Sequence, residues 1–324
     1  MGGAEPLSGL MAGHDLGRQL EPALKEVCEG RLSDIRWFRT DWQRGGAATA
    51  YAKFGENGAT RDVVIKIPVG PMEHRVVSTL AGRDGSPTPR IALHGTEIGG
   101  WDLAWLIMER VPGNPLAAHL HKQVFEDLAH AAAGFYKATG EAWPDRPAPP
   151  EVNWEQQLER ARESLRTNHP AAEQVWAQDI KLVMKKLPKL LAVWNTREIN
   201  AWCHGDLHAG NLMRRPEGSA WGPPGEVLLD FAEVHPGHWI EDAVYLERIY
   251  WAKPEALDGA KPVSLIAKAR RALGLDTSDD YQMLANVRRV LMAATIPAFL
   301  KQEGHPRYLQ AALDVLNRTL PLVG

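Results

Sequence analysis

Apolar residues recur at helical spacing near the start of the chain, with Leu16, Leu20, Leu24 and Val27 on one face of a helix predicted over residues 14–29. The pattern then changes to short runs typical of strands at residues 35–38, 48–54 and 63–67. The clusters Gly45-Gly46 and Gly55-Glu56-Asn57-Gly58 separate these strands as turns. A helix is predicted from Pro71 to Leu80, with the proline in its first turn. Two further strands, at 90–94 and 103–108, flank Gly99-Gly100. Beyond Pro112-Gly113 the spacing turns helical, over 116–120, 124–139, 154–167, 171–194, 240–251, 263–273, 279–296 and 308–316. Pro188 is expected to kink or break the fourth of these, and the proline-rich stretch 144–150 reads as a stiff surface connection. Strands first and helices later predict an α+β chain of two lobes, residues 1–110 and 111–324, hinged near Glu109 to Gly113.

A length of 324 residues is enough for such a pair of lobes, each with its own core. With 37 Lys and Arg against 40 Asp and Glu, and no basic block, the charge pattern argues against a nucleic-acid partner. No uninterrupted apolar run of spanning length and no signal-peptide pattern stand out, so no membrane partner is expected. Cys28 and Cys203 match no metal spacing and read as reduced thiols in a cytoplasmic protein. Cys203 beside His204 can be read as a nucleophile, or as a small buried residue entering a loop. The composition leaves the oligomeric state open.

The candidate chemistry is concentrated in His204-Gly205-Asp206-Leu207-His208-Ala209-Gly210-Asn211 and, further on, in Leu228-Leu229-Asp230-Phe231. A carboxylate, an amide five residues later and a second carboxylate after an apolar strand suit metal-assisted phosphoryl transfer. Asp206 would orient an acceptor hydroxyl, while Asn211 and Asp230 offer the hard oxygen ligands that Mg2+ favours. Lys66, at the end of an apolar strand, can grip phosphate oxygens, and Glu73 on the next helix can aim it. Gly45 and Gly46, in a turn without a GxGxxG pattern, read equally as a nucleotide cover or a plain hairpin. The extended segment with Met108, Glu109 and Val111 can offer backbone groups to a nucleotide base, or simply end a strand. His208, Glu233, Trp239 and Glu241 are weaker candidates for the acceptor side. The alternation of His204, Asp206 and His208 also admits a transition-metal hydrolase, and a nucleotide-binding module without transfer is a further alternative.

These residues, in this order, resemble the aminoglycoside phosphotransferase and choline kinase group of small-molecule kinases, which share the protein-kinase fold. The HGDLHAGN stretch together with LLDF carries most of that resemblance. It implies Asp206 as catalytic residue, Asn211 and Asp230 as metal ligands, and Lys66 with Glu73 as the phosphate-binding pair. It also implies ATP (GTP in some members) with Mg2+, and phosphorylation of a hydroxyl on an aminoglycoside, aminosugar, sugar or choline-like acceptor. His208 stands where protein kinases have a lysine, and Ala232 where they have a glycine; no Ala-Pro-Glu signature follows Asp230. Those departures imply a small-molecule acceptor rather than a protein.

Overall fold

The structure is a computed structural model that describes residues 13–38 and 47–323. Gly45 and Gly46 lie outside the described residues. The chain forms two compact units, one made of the residues up to Gly113 with Arg214–Ala232, the other of Asn114–Met213 with the residues from Glu233 onward.

In the first unit, α1 (Gly13–Val27) is followed by β1 (Leu32–Phe38), β2 (Ala48–Glu56), β3 (Ala59–Ile67), α2 (Pro71–Leu80), β4 (Ile91–Gly95) and β5 (Trp105–Glu109). The strands form one antiparallel sheet in the order β1-β2-β3-β5-β4. The β2–β3 hairpin closes on Asn57-Gly58, both at positive φ, which is the backbone a tight two-residue turn demands. That turn lets β3 begin at Ala59, earlier than the apolar run alone suggests. Alternation along β3 buries Val63, Ile65 and Ile67, and Leu20, Leu24 and Cys28 of α1 join the same core. The opposite face of the strand carries Lys66, which pairs with Thr49 on one side and Leu106 on the other.

In the second unit, α3 (Lys122–Ala142), α4 (Trp154–Asn168) and α5 (Glu173–Trp194) precede the short strand β6 (Ala201–Cys203). The strands β7 (Leu212–Arg215) and β8 (Gly225–Leu228) form a ribbon, of which β8 and the end of β7 belong to the first unit, and in the second unit β9 (His235–Gly237) returns to pair antiparallel with β6. The helices α6 (Ile240–Ile249), α7 (Pro262–Ala272), α8 (Tyr281–Thr295), α9 (Leu300–Glu303) and α10 (Pro306–Thr319) complete it. Of the kink or break expected at Pro188, the break does not occur, and α5 runs through it. The buried stripe Val183, Leu187, Leu190 and Trp194 continues across the proline, so packing outweighs the lost backbone hydrogen bond. The helical run Tyr281–Glu303 is long and apolar enough to cross a membrane, which the sequence pattern did not single out. Of that apolar window, 61% is buried within the protein, as in the core helix of a helical layer.

Candidate active site

In the first unit Lys66 Nζ lies 2.7 Å from both carboxylate oxygens of Glu73 and 3.4 Å from Asp230 Oδ1. Glu73 is buried on the inward face of α2, so the sheet and helix together fix the lysine's direction. Burial works against the ammonium charge, but the carboxylates of Glu73 and Asp230 outweigh it and hold the Lys66 pKa above its ordinary value. Asp230 is half exposed and adopts φ +61°, an uncommon backbone for a residue with a side chain. Backbone strain of this kind is found at sites where a side chain must be aimed.

The hinge residues divide differently from expectation. The Glu109 side chain is turned inward and forms a bidentate pair with Arg215, at 2.9 Å from Nε and 2.5 Å from Nη2. Its side chain is therefore committed to a structural ion pair. The amide of Glu109 is also taken, donating to the Arg90 carbonyl, and that of Arg110 donates to Asp62. Val111 is buried and Met108 half-buried at the end of β5.

In the second unit the loop after β6 is held by one helix. Asp242, in the first turn of α6, accepts the backbone N–H of His204 at 2.7 Å, that of Gly205 at 2.9 Å, and the Tyr136 hydroxyl at 2.9 Å. Gly205 sits at φ +83°, where a Cβ would run into the Glu233 carbonyl. Asp206 then receives three side-chain donors. Tyr245 Oη donates to Oδ1 at 2.5 Å, Asn211 Nδ2 donates to Oδ2 at 3.2 Å, and His208 Nε2 stands 3.5 Å from Oδ2. His208 Nδ1 accepts the Gly210 N–H at 2.9 Å, which leaves the proton on Nε2, facing Asp206. The His208 hydrogen bond, against the upward push of burial and helped by Tyr245 and Asn211, holds the Asp206 carboxyl well below the usual range. Both Asn211 bonds, the second to the Asp206 carbonyl at 3.0 Å, are donated by its NH2, so Oδ1 is the atom it can offer a cation. His204 is fully buried and its Nδ1 accepts the Asp206 N–H at 3.3 Å, a support for the loop.

Tyr245 was not singled out from the sequence. Its signal was there, because it lies three residues after Asp242 and so on the same face of α6. Arg215 and Tyr136 offered no such local cue.

Two of the weaker acceptor candidates, Trp239 and Glu241, are engaged elsewhere. Trp239 is 0% exposed, packed against His238, Tyr281 and Arg270, so its ring faces cannot stack on an acceptor. Glu241 accepts the His238 N–H at 3.1 Å and is flanked by Arg197 at 3.4 Å, Arg288 at 3.8 Å and His235 at 3.9 Å, so its charge is already matched. Glu233 is exposed, and its carbonyl accepts from His235 Nδ1 at 2.8 Å. Cys203 is fully buried, with a thiol pushed far up by burial, and donates to the His238 carbonyl at 3.3 Å. An inert packing role fits those facts.

The Glu241 cluster has a consequence for stability. Burial raises its pKa, but His235, Arg288 and Arg197 pull it down to about 2 from an ordinary 4.5. A depressed carboxyl pKa contributes stability that is complete above about 4.5 and lost as pH falls towards about 2. Glu241→Gln should therefore lower stability at neutral pH by about 3 kcal/mol and flatten the acid limb of the stability curve. Urea unfolding between pH 2 and 7 measures both; an unchanged acid limb would remove Glu241 from this role.

Comparison with known proteins is consistent with the geometry. The chain resembles a choline kinase from Cryptosporidium parvum Iowa II with a TM-score of 0.55 and 12% identity, over 95% of this chain and 93% of that one. An aminoglycoside phosphotransferase from Alicyclobacillus acidocaldarius subsp. acidocaldarius gives 0.54 and 16%, over 98% and 94%. The aminoglycoside phosphotransferase APH(4)-Ia gives 0.53 and 15%, over 94% and 98%. At such identities the likeness concerns the fold, here the α+β kinase-like arrangement of an antiparallel sheet followed by a mainly helical part. No curated protein sequence matches this one. Residues 28–273, by contrast, match the model of the phosphotransferase enzyme family. Because that match takes in most of the chain, the protein belongs to the APH phosphotransferase enzyme family.

Proposed function

We propose that the protein transfers the γ-phosphoryl group of ATP, with Mg2+, to a hydroxyl of a small polar molecule. The observation that carries this reading is Asp206, a carboxylate kept ionised and aimed by Tyr245, Asn211 and His208. Oδ1, which has Tyr245 as its one donor, keeps a second lone pair for an incoming hydroxyl. In this reading Asp206 orients the acceptor hydroxyl and takes up its proton as the new P–O bond forms and the bond from the γ-phosphorus to the bridging oxygen breaks, with ADP leaving. Lys66, aimed by Glu73, binds phosphate oxygens and offsets their charge.

Asn211 Oδ1 in the second unit and the half-exposed Asp230 carboxylate in the first are each a hard oxygen donor of the kind Mg2+ takes. When bound, the ion neutralises charge on the transferring phosphoryl group. The donor set suits magnesium better than zinc. Among the described residues no three His, Cys, Asp or Glu side chains converge, and His204 is buried with Nδ1 engaged.

ADP release tests the proposal. With ATP and Mg2+, a panel of aminoglycosides, sugars, aminosugars and choline-like amines should include an acceptor that stimulates it. If Mg2+ and ATP together raise the melting temperature while no acceptor is ever phosphorylated, the protein is a nucleotide-binding module. Tyr245→Phe should lower turnover about tenfold, as loss of one hydrogen bond to a charged group does, with the KM for ATP unchanged. Steady-state kinetics with the best acceptor measures this, and full turnover in the variant would show that Tyr245 does not hold the catalytic carboxylate.

A further inference from the structure

Three and four residues beyond Tyr245 on the same face of α6, Arg248 and Ile249 open onto a cavity of about 290 Å3. Glu303 from α9, with His305 and Tyr308 at the start of α10, supply other parts of its wall. Because Tyr245 both lines this cavity and donates to Asp206, the cavity adjoins the proposed catalytic carboxylate.

Its chemistry is specific. Arg248 Nη2 pairs with Glu303 Oε1, and Nε donates to Tyr308 Oη at 2.9 Å. The guanidinium and the carboxylate thus cancel each other. Glu247, the neighbouring acid on α6, is likewise matched by Arg289, at 2.7 and 2.9 Å. A polycation would meet a fixed guanidinium here and no uncompensated acid. Glu303, 26% exposed at its side chain where it lines the cavity, keeps carboxylate lone pairs beyond its bond to Arg248. Arg248 Nη1 makes no hydrogen bond among the described residues and remains a donor. His305 Nδ1 accepts the Arg307 N–H at 3.2 Å, so its Nε2 is a second donor. Ile249 is 40% exposed, and the Tyr308 ring is backed by Trp251 in a near-parallel stack at 16°. These give the cavity apolar surface beside its polar groups.

We propose that this cavity seats the acceptor, and that the acceptor is an uncharged, hydroxyl-rich single ring of the monosaccharide class. The inference rests on the phosphotransfer reading above for the meaning of Asp206. A vicinal diol donates to the exposed part of the Glu303 carboxylate and accepts from Arg248 with neighbouring oxygens, while the C–H face of the ring lies on Ile249 and Tyr308. The volume holds about one such ring.

Calorimetry in the presence of a non-hydrolysable ATP analogue and Mg2+ tests the assignment, with neutral methyl glycosides of common hexoses and pentoses, kanamycin and choline as probes. At least one neutral glycoside should bind more tightly than kanamycin or choline. Glu303→Gln should weaken that glycoside about tenfold. Arg248→Gln, which leaves Glu303 unneutralised, should shift preference towards the cations by about tenfold, whereas Glu303→Gln should shift it away from them. Opposite shifts cannot come from general unfolding. Ile249→Trp, at an exposed position, should close the cavity and abolish glycoside binding with the melting temperature retained. Tighter binding of kanamycin or choline than of every glycoside, or glycoside binding indifferent to Glu303 and Ile249, would overturn the assignment. A glycoside that binds with these dependences yet never gains a phosphate would instead overturn the phosphotransfer reading and leave the cavity's role standing. Phosphorylation of amines alone does the reverse.

Discussion

Replacing Asp206 with Asn should lower phosphoryl transfer about 10²–10⁴-fold, the usual contribution of a positioned acid–base group. ATP binding should be largely retained, because Lys66 and Glu73 are untouched. The side chain would keep its size, and its carbonyl oxygen could still accept from Tyr245. Its new NH2, however, would face donors from Asn211 and His208 in place of the carboxylate that accepts from them now. The variant thus loses the charge that draws the acceptor proton and one side of the loop's hydrogen bonding. Single-turnover measurement of phosphorylated acceptor separates the chemical step from product release. A melting temperature near that of the parent protein would locate the loss in chemistry. Turnover close to the parent's would mean that Asp206 neither orients nor deprotonates the acceptor.

The largest expected loss of stability comes from Arg215→Met. Arg215 and Glu109 are 7% and 1% exposed at their side chains and bond at two points, with a third Arg215 bond to the Pro223 carbonyl at 3.2 Å. Removing the guanidinium strands a carboxylate away from water, which typically costs about 3–5 kcal/mol. Replacing both partners removes both buried charges, so Glu109→Gln with Arg215→Met should recover much of what the single change loses. Chemical denaturation of the two single variants and the double variant tests this. Equal, small effects that simply add would show that the pair is not coupled.

These two residues also mark where sequence reading stops. The alternation of β3 and the helical spacing of α2 placed Lys66 and Glu73 on neighbouring elements, and the structure joins them at 2.7 Å. The Asp206 and Asn211 loop was legible because its residues lie within one short run. Asp242, further along the chain, holds that loop by accepting two of its amides. Glu109 was read as part of a strand end that offers its backbone, but its partner Arg215 lies 106 residues away, and nothing local reveals such a pairing. Trp239 and Glu241 failed as acceptor candidates for a similar reason. Their residue types suit a pocket, yet Tyr281, Arg270, Arg197 and Arg288, all distant in sequence, enclose them instead. Pro188 shows the opposite case, a strong local signal overridden by a buried stripe that spans it.

The most direct test is mass spectrometry of candidate acceptors after incubation with the protein, ATP and Mg2+, with Asp206→Asn in parallel. One phosphoryl group added to an acceptor hydroxyl by the parent protein, and not by the variant, is the predicted result. Release of inorganic phosphate alone, or equal phosphorylation by both proteins, would contradict it.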